Sequence, residues 1–445
     1  MVSFGTDGIR GIAHQDLTPE LFAKVGRAAA RVLHSGEASP LMLIGRDTRT
    51  SGVELEAALA SALVQAGWQV LLLGVVPTPA VAFLARVHGA AAAAVISASH
   101  NPPEYNGLKF FGPQGTKIPP ETEKALEDFI ARDGEPAPAG GSGGRLYQDP
   151  DALNPYLQFL LERLGDGAAG RHLVLDCGHG ALWELAPRLF RAAGARVTAL
   201  HHTPDGAAIN VDCGSTSPQV AAEAVLAEGA QAGFTFDGDG DRCLAVDDQG
   251  RLLDGDYILA VAGLGRLDRD ALPKRALVAT VMSNMGLDQA LAAAGGRVVR
   301  CPVGDRHVAE TMMAQGLTLG GEQSGHIIFA ETGQMTGDGL LTAVEMVREM
   351  DITGASLADL AARMKPWPQV HRNIAVDDHH RVAALPAVEA AVAAASAGLA
   401  EQGRIVVRPS GTEPVIRVMV EAMDETQARE AAEAIAAAIV EAARQ

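Results

Sequence analysis

Three stretches of this chain repeat one local pattern, and that repetition constrains the fold more than any other feature. Ala66-Gly67-Trp68-Gln69-Val70, Ala193-Gly194-Ala195-Arg196-Val197 and Ala294-Gly295-Gly296-Arg297-Val298 each close an Ala/Leu-rich helical run. The glycine suits a helix C-cap and the valine opens a short apolar strand. Downstream of each lies a second strand that runs into a loop rich in Gly, Asn or Asp. Such alternation specifies three related α/β units with mixed, largely parallel sheets, whose ligand loops sit at strand C-termini.

The breaks between units are legible too. The stretch Gly134 to Gly144 reads as a linker, Val246 to Leu253 as a hairpin, and Lys365-Pro366-Trp367-Pro368 ends a helical pattern running from Leu357 to Met364. The tail alternates differently: a strand at Val370 to Val376, an Ala-rich helix, strands near Arg404–Val407 and Val415–Val420, and a terminal helix. The expected organisation is three α/β domains, 1–150, 151–250 and 251–366, and a smaller C-terminal α+β domain, 367–445, around a central cleft.

Four loops carry chemistry. Ile96-Ser97-Ala98-Ser99-His100-Asn101-Pro102 offers a hydroxyl nucleophile, because Pro102 keeps the residue before it extended or turning and so exposes Ser99 at a strand end. Asp237-Gly238-Asp239-Gly240-Asp241-Arg242 packs three carboxylates. Spaced about 5 Å apart, each pair repels by roughly 3 kcal/mol at an effective dielectric of about 20, and a bound cation removes that cost. Oxygen-only donors favour Mg²⁺ over zinc. The pattern argues against an EF-hand, since Arg242 and Asp248 stand where it needs Gly and Glu, and Ala232 to Phe236 reads as a strand. Glu322 and Ser324, in Gly320-Gly321-Glu322-Gln323-Ser324-Gly325-His326, suit vicinal sugar hydroxyls; His326 is either a proton shuttle or a polar group satisfied within its loop. Arg408-Pro409-Ser410-Gly411-Thr412-Glu413-Pro414, with Arg417 across the turn, has the equipment to grip a phosphate dianion. No Walker loop occurs, and Gly-x-Ser-x-Gly is met only by Gly140 to Gly144 inside the linker, not at the strand-to-helix turn an esterase elbow needs. His100 is a poor base, because neighbours on an extended segment point apart; Lys109 is the better candidate for proton transfer, with a plain surface lysine as its alternative.

Charge narrows the partners. Thirty-six basic against 54 acidic residues leave a formal charge of −18, which repels nucleic acid and anionic membrane. A phosphate ligand therefore needs locally gathered cations, and Arg10, Arg46, Arg49, Lys109, Arg242, Arg306, Arg408 and Arg417 all lie in or beside Gly- or Asp-rich loops. No apolar run approaches a membrane span, the start lacks a signal peptide's pattern, and four scattered cysteines read as reduced thiols, so a cytoplasmic enzyme is expected.

The four loops, in this order and spacing, resemble the α-D-phosphohexomutase superfamily over the whole chain. The segments Phe4 to Gly11, Val281-Met282-Ser283-Asn284-Met285-Gly286, Pro302 to Arg306 and Cys213 to Thr216 are similar to a bacterial branch that acts on glucosamine phosphates. The resemblance implies a heart-shaped, four-domain isomerase that interconverts glucosamine 6-phosphate and glucosamine 1-phosphate for cell-wall amino-sugar synthesis. Ser99 would be a phosphoserine, and Asp237, Asp239 and Asp241 with one of its phosphate oxygens would hold one Mg²⁺. Arg10, Lys109 and Arg242 would flank the transferring group. Glu322, Ser324 and His326 would meet the sugar, and Arg408, Ser410, Gly411, Thr412 and Arg417 the non-reacting phosphate. A hexosamine or hexose 1,6-bisphosphate is the implied intermediate and activator. Sugar phosphates are the expected partners, with neither nucleic acid nor membrane, and a homodimer is left open. The chain departs from the family pattern at Gly178-His179 and at His307. Rival readings are the same chemistry on mannose or glucose phosphate, a sugar-phosphate phosphatase, and a non-catalytic sensor.

Overall fold

The computed structural model describes residues 8–34, 36, 39–132, 143–410 and 414–444. Most of the Gly134–Gly144 linker, the start of the Phe4–Gly11 segment, and the predicted ligands Gly411 and Thr412 lie outside these residues. Among the described residues the strands form four sheets.

The first three sheets share one plan. In the first, Leu41–Arg46, Gln69–Val75 and Ala92–Ile96 run parallel, and Tyr105–Phe111 returns antiparallel beside the last of them. In the second the corresponding strands are His172–Asp176, Arg196–Leu200, Ala232–Phe236 and Cys243–Asp247. In the third they are Ala276–Thr280, Arg297–Cys301, Leu319–Gly321 and Ile327–Phe329. Taking each set in chain order, the spatial order is fourth, third, first, second every time. Ile9–Ile12 and Arg145–Gln148 extend the first sheet at its two edges.

The repeated glycines do the same job in each unit. Gly67, Gly194 and Gly295 have φ of 92°, 83° and 74°, the left-handed region that only glycine enters without strain. The residue after each closes the helix end through the same backbone bond: Trp68 to Leu63, Ala195 to Phe190, and Gly296 to Leu291. The strand that follows then enters parallel to the first strand of its unit. Those central strands are buried on both faces; Ala92–Ile96, His172–Asp176, Ala232–Phe236 and Ala276–Thr280 have no exposed residue.

One local expectation is met and one needs correction. Leu252–Leu253 pairs antiparallel with Ala245 and Val246, the expected hairpin, at the edge of the second sheet. The helix starting at Leu357 ends at Ala361, short of Met364. The tail is a three-stranded antiparallel sheet ordered Gln369–Ala375, Val415–Ala422, Gly403–Pro409. The helices Pro386–Leu399 and Glu425–Ala443 pack on one face of it, leaving the other face to the cleft. Among the described residues no helix is long and apolar enough to cross a membrane.

Candidate active site

Three of the four chemistry-bearing loops join the third strand of their unit to the antiparallel fourth. The serine loop lies between Ile96 and Tyr105, the acidic loop between Phe236 and Cys243, and the Glu322 loop between Gly321 and Ile327. Equivalent positions in three packed units thereby face a common hollow.

The serine and acidic loops touch. Ser99 Oγ donates to Asp237 Oδ2 at 2.6 Å, and both residues are buried. The loops can approach this closely because residue 238 is glycine: a Cβ there would stand 2.7 Å from the Ser99 carbonyl oxygen. Ser99 has φ of 52°, a left-handed backbone rather than a strand. That overturns the expectation that Ser99 and His100 point apart, for His100 Nδ1 lies 3.4 Å from Ser99 Oγ. Burial, then Arg242 and Arg10, push the His100 pKa down to about 4, so its imidazole is neutral near pH 7.

Asp237, Asp239 and Asp241 are all buried, and one carboxylate oxygen from each lies within 4.8 Å of the others. Burial raises the Asp237 pKa well above the carboxylate range, and repulsion from Asp241 and Asp239 adds to it. Asp241 Oδ1 is buried without a hydrogen bond. An all-oxygen, mutually repelling, partly unsatisfied set of donors fits a hard divalent cation. Lys109, on the strand Tyr105–Phe111, places Nζ 3.2 Å from Asp239 and 3.4 Å from Asp241. Arg242 lies beside Asp241 with Nε at 3.9 Å, and its backbone N–H donates to Asp237 at 3.2 Å. Arg10 donates to the Asn101 side chain at 2.9 Å, which sets it at the rim of the serine loop.

Glu322 links this centre to the last domain. Its negative charge adds to the upward shift of Arg242 on one side and partly offsets the downward shift of Arg408 on the other, and its Oε1 accepts from the Gly304 N–H at 3.1 Å. Ser324 is exposed at the tip of the same turn. On the tail sheet Arg408 pairs in register with Arg417, and Asn373 faces Arg417 from the edge strand. Burial, then the neighbouring Arg417, lower the Arg408 pKa, the electrostatics of a pair suited to a shared anion. Ser410 is buried beside them at the strand end. A cavity of about 280 Å³ opens here between Met282 of the third unit and His371, Asn373, Arg408, Arg417 and Met419 of the tail.

Other predicted residues are placed differently. His326 is buried, and its Nε2 accepts from the Gly337 N–H at 3.1 Å. Its Nδ1 is buried without a hydrogen bond, and the ring lines a cavity with Lys117, Asp305, Arg306 and Met335. Three of the eight loop cations are engaged elsewhere. Arg46 Nε donates to Glu56 at 3.3 Å, Arg306 makes a two-pronged pair with Glu123 at 2.7 and 3.1 Å, and Arg49 is enclosed entirely. Nothing in the sequence points to Thr78, whose hydroxyl donates to Asp239 Oδ2 at 2.6 Å and whose N–H donates to the Asp239 carbonyl at 2.9 Å. Nor did it single out Asn210, whose Nδ2 donates to the Ser99 carbonyl at 2.9 Å. His179 is structural: its carbonyl accepts from Thr48 Oγ1 at 2.6 Å.

Four family models match the chain. They are phosphoglucomutase/phosphomannomutase alpha/beta/alpha domain I over residues 1–137, domain II over 154–250, domain III over 254–367, and the C-terminal domain over 372–438. The chain is 49% identical over 423 residues to a phosphoglucosamine mutase of Moorella thermoacetica, spanning 95% of both chains. It is 47% identical over 444 residues to one of Desulforudis audaxviator, spanning 99% of this chain and 98% of that one. Among solved structures it is similar to a phosphoglucomutase/phosphomannomutase family protein of Burkholderia thailandensis, with a TM-score of 0.82 and 25% identity over 99% of this chain and 98% of the other. The N-acetylphosphoglucosamine mutase of Aspergillus fumigatus, solved with GlcNAc-6P and magnesium, shares the fold at a TM-score of 0.72 and 16% identity over 100% and 96% of the two chains.

Proposed function

The chain belongs to the phosphoglucomutase/phosphomannomutase family, and from that premise we propose that it interconverts glucosamine 6-phosphate and glucosamine 1-phosphate through a phosphoserine at Ser99. The observation that carries the reading is the bond from Ser99 Oγ to Asp237, within a buried carboxylate group that fits a divalent cation. Mg²⁺ is the proposed ion, held by Asp237, Asp239, Asp241 and a phosphoserine oxygen, and when bound it would neutralise charge on the transferring phosphoryl group.

The chain's own residues then have distinct tasks. Arg408, Ser410 and Arg417, together with Gly411 and Thr412, hold the non-reacting phosphate, while Glu322 and Ser324 orient the sugar hydroxyls. The phosphoryl group leaves Ser99 Oγ for the free sugar hydroxyl, whose proton passes to a base; Ser99 Oγ takes up a proton in turn. This yields the 1,6-bisphosphate, also the proposed activator. After the bisphosphate turns over in the cleft, its other phosphoryl group returns to Ser99 and glucosamine 1-phosphate departs. Lys109 and the neutral His100 are the groups proposed for the proton transfers; Arg10 and Arg242 flank the moving charge. Domain limits near residues 150, 250 and 366 and a cytoplasmic location complete the proposal.

The test compares turnover of glucosamine, mannose and glucose 6-phosphates. Preference for the glucosamine substrate is expected, and equal or better rates with mannose or glucose would shift the assignment to phosphomannomutase or phosphoglucomutase. Ser99→Ala should lower turnover by at least about 10³-fold while leaving sugar-phosphate binding intact. Release of inorganic phosphate without isomer formation would indicate a phosphatase instead.

A further inference from the structure

Arg49 was expected among the phosphate-binding cations, yet its guanidinium is fully buried and every N–H on it is spent inside the protein. Nε donates to Asp47 Oδ2 at 2.9 Å. One terminal nitrogen donates to the carbonyls of Pro102 and Tyr105, the latter at 2.8 Å. The other donates to the carbonyls of Ser99 at 3.0 Å and Asn101 at 2.7 Å. Four carbonyls of the nucleophile's own loop thus converge on one planar cation. No donor is left for a substrate phosphate.

The same loop is held from two more directions. Asp47 accepts from Ser97 Oγ at 2.6 Å, and Ser97 Oγ in turn accepts the Ser99 N–H at 2.9 Å. From the second unit, Asn210 Nδ2 donates to the Ser99 carbonyl at 2.9 Å and to the Asn101 carbonyl at 3.1 Å. Ser99 keeps a backbone φ of 52°, which L-residues avoid unless their surroundings impose it. In this conformation Oγ reaches Asp237 at 2.6 Å.

We propose that Arg49, seconded by Asn210, is a positioning residue for the reaction: it fixes Ser99 in its left-handed conformation and so aims Oγ at the cation site, without touching substrate. Lysine cannot replace it, because a single ammonium cannot serve a fork of four carbonyls and a carboxylate. The inference rests on the reading of Ser99 as the phosphoryl carrier.

The full-length wild type, Arg49→Lys and Asn210→Ala are incubated with glucose 1,6-bisphosphate and Mg²⁺, and phosphate on Ser99 is followed by intact mass. Steady-state kinetics on glucosamine 6-phosphate are then measured well below each unfolding midpoint. Arg49→Lys should lose about 100-fold in kcat and in the rate of Ser99 phosphorylation, with KM within about twofold of wild type, as expected for a misaimed nucleophile with an intact binding site. Asn210→Ala should show the same split at about 10-fold. Wild-type rates in both variants, or a rise in KM with kcat unchanged, would overturn the inference. Should Arg49→Lys fail to fold, Asn210→Ala decides alone. A wild type that takes no phosphate on Ser99 would instead remove the underlying reading.

Discussion

At the scale of the residue, the groups that announce themselves in the sequence are those whose chemistry is dense. Three alternating aspartates and a serine beside His-Asn-Pro can be found without coordinates, because few bland roles explain them. The residues that hold those groups in place are silent. Thr78 follows Pro77 and looks like any helix start, yet its hydroxyl fixes Asp239. Thr78→Val should weaken Mg²⁺ binding by about 10-fold in titration calorimetry, and Thr78→Ser should retain it. A different silent residue is Asp338, which caps the helix Gly339–Thr353 through the Leu341 N–H and accepts from the Tyr156 hydroxyl. Burial pushes its pKa up to about 6 from an ordinary 3.8. The folded protein therefore binds this proton more tightly than the unfolded chain does. Its contribution to stability is full below about pH 4 and disappears as the pH rises through 6. Across that window the unfolding midpoint of the wild type should fall relative to that of Asp338→Asn; parallel curves would refute the assignment.

At the scale of the element, the repeated helix-Gly-strand punctuation was readable because a left-handed C-cap needs glycine whatever surrounds it. Gly194→Ala tests this. The nearest atom to an added Cβ is Ala169 Cα at 3.4 Å, so space is available and the cost is backbone strain. A loss of about 1–2 kcal/mol is expected, seen as a lower unfolding midpoint with KM unchanged. Element limits were less legible. The helix from Leu357 stops early at Ala361, an end decided by tertiary packing rather than by local pattern. Strand-based reasoning also failed at Ser99, where one left-handed residue brings the His100 ring beside the hydroxyl it was expected to avoid.

At the scale of the whole molecule, the order of four loops along the chain could be read, but which side chains meet could not, because sequence separation carries no distance. Ser99 and Asp237 come from different sheets, and Glu322 acts on arginines of two other domains. The Met282–Gly286 segment, read only as a family likeness, proves to fasten the last domain. Buried Glu421 accepts from the Met285 N–H at 2.7 Å and from Arg404 at 2.7 Å, and Arg404 also donates to the Ser283 carbonyl at 2.7 Å. Glu421→Gln keeps the shape but removes the charge. It should loosen the proposed phosphate grip and raise KM several-fold more than it changes kcat, with a larger radius of gyration by small-angle scattering. Equal kinetics and an unchanged radius would show that the anchor is dispensable. The threefold use of one topological slot has a practical corollary for engineering. The proposed nucleophile, cation site and hydroxyl contacts lie in separate units, so a graft of the 322–326 turn that keeps Glu322 is expected to alter sugar selectivity while Ser99 phosphorylation persists.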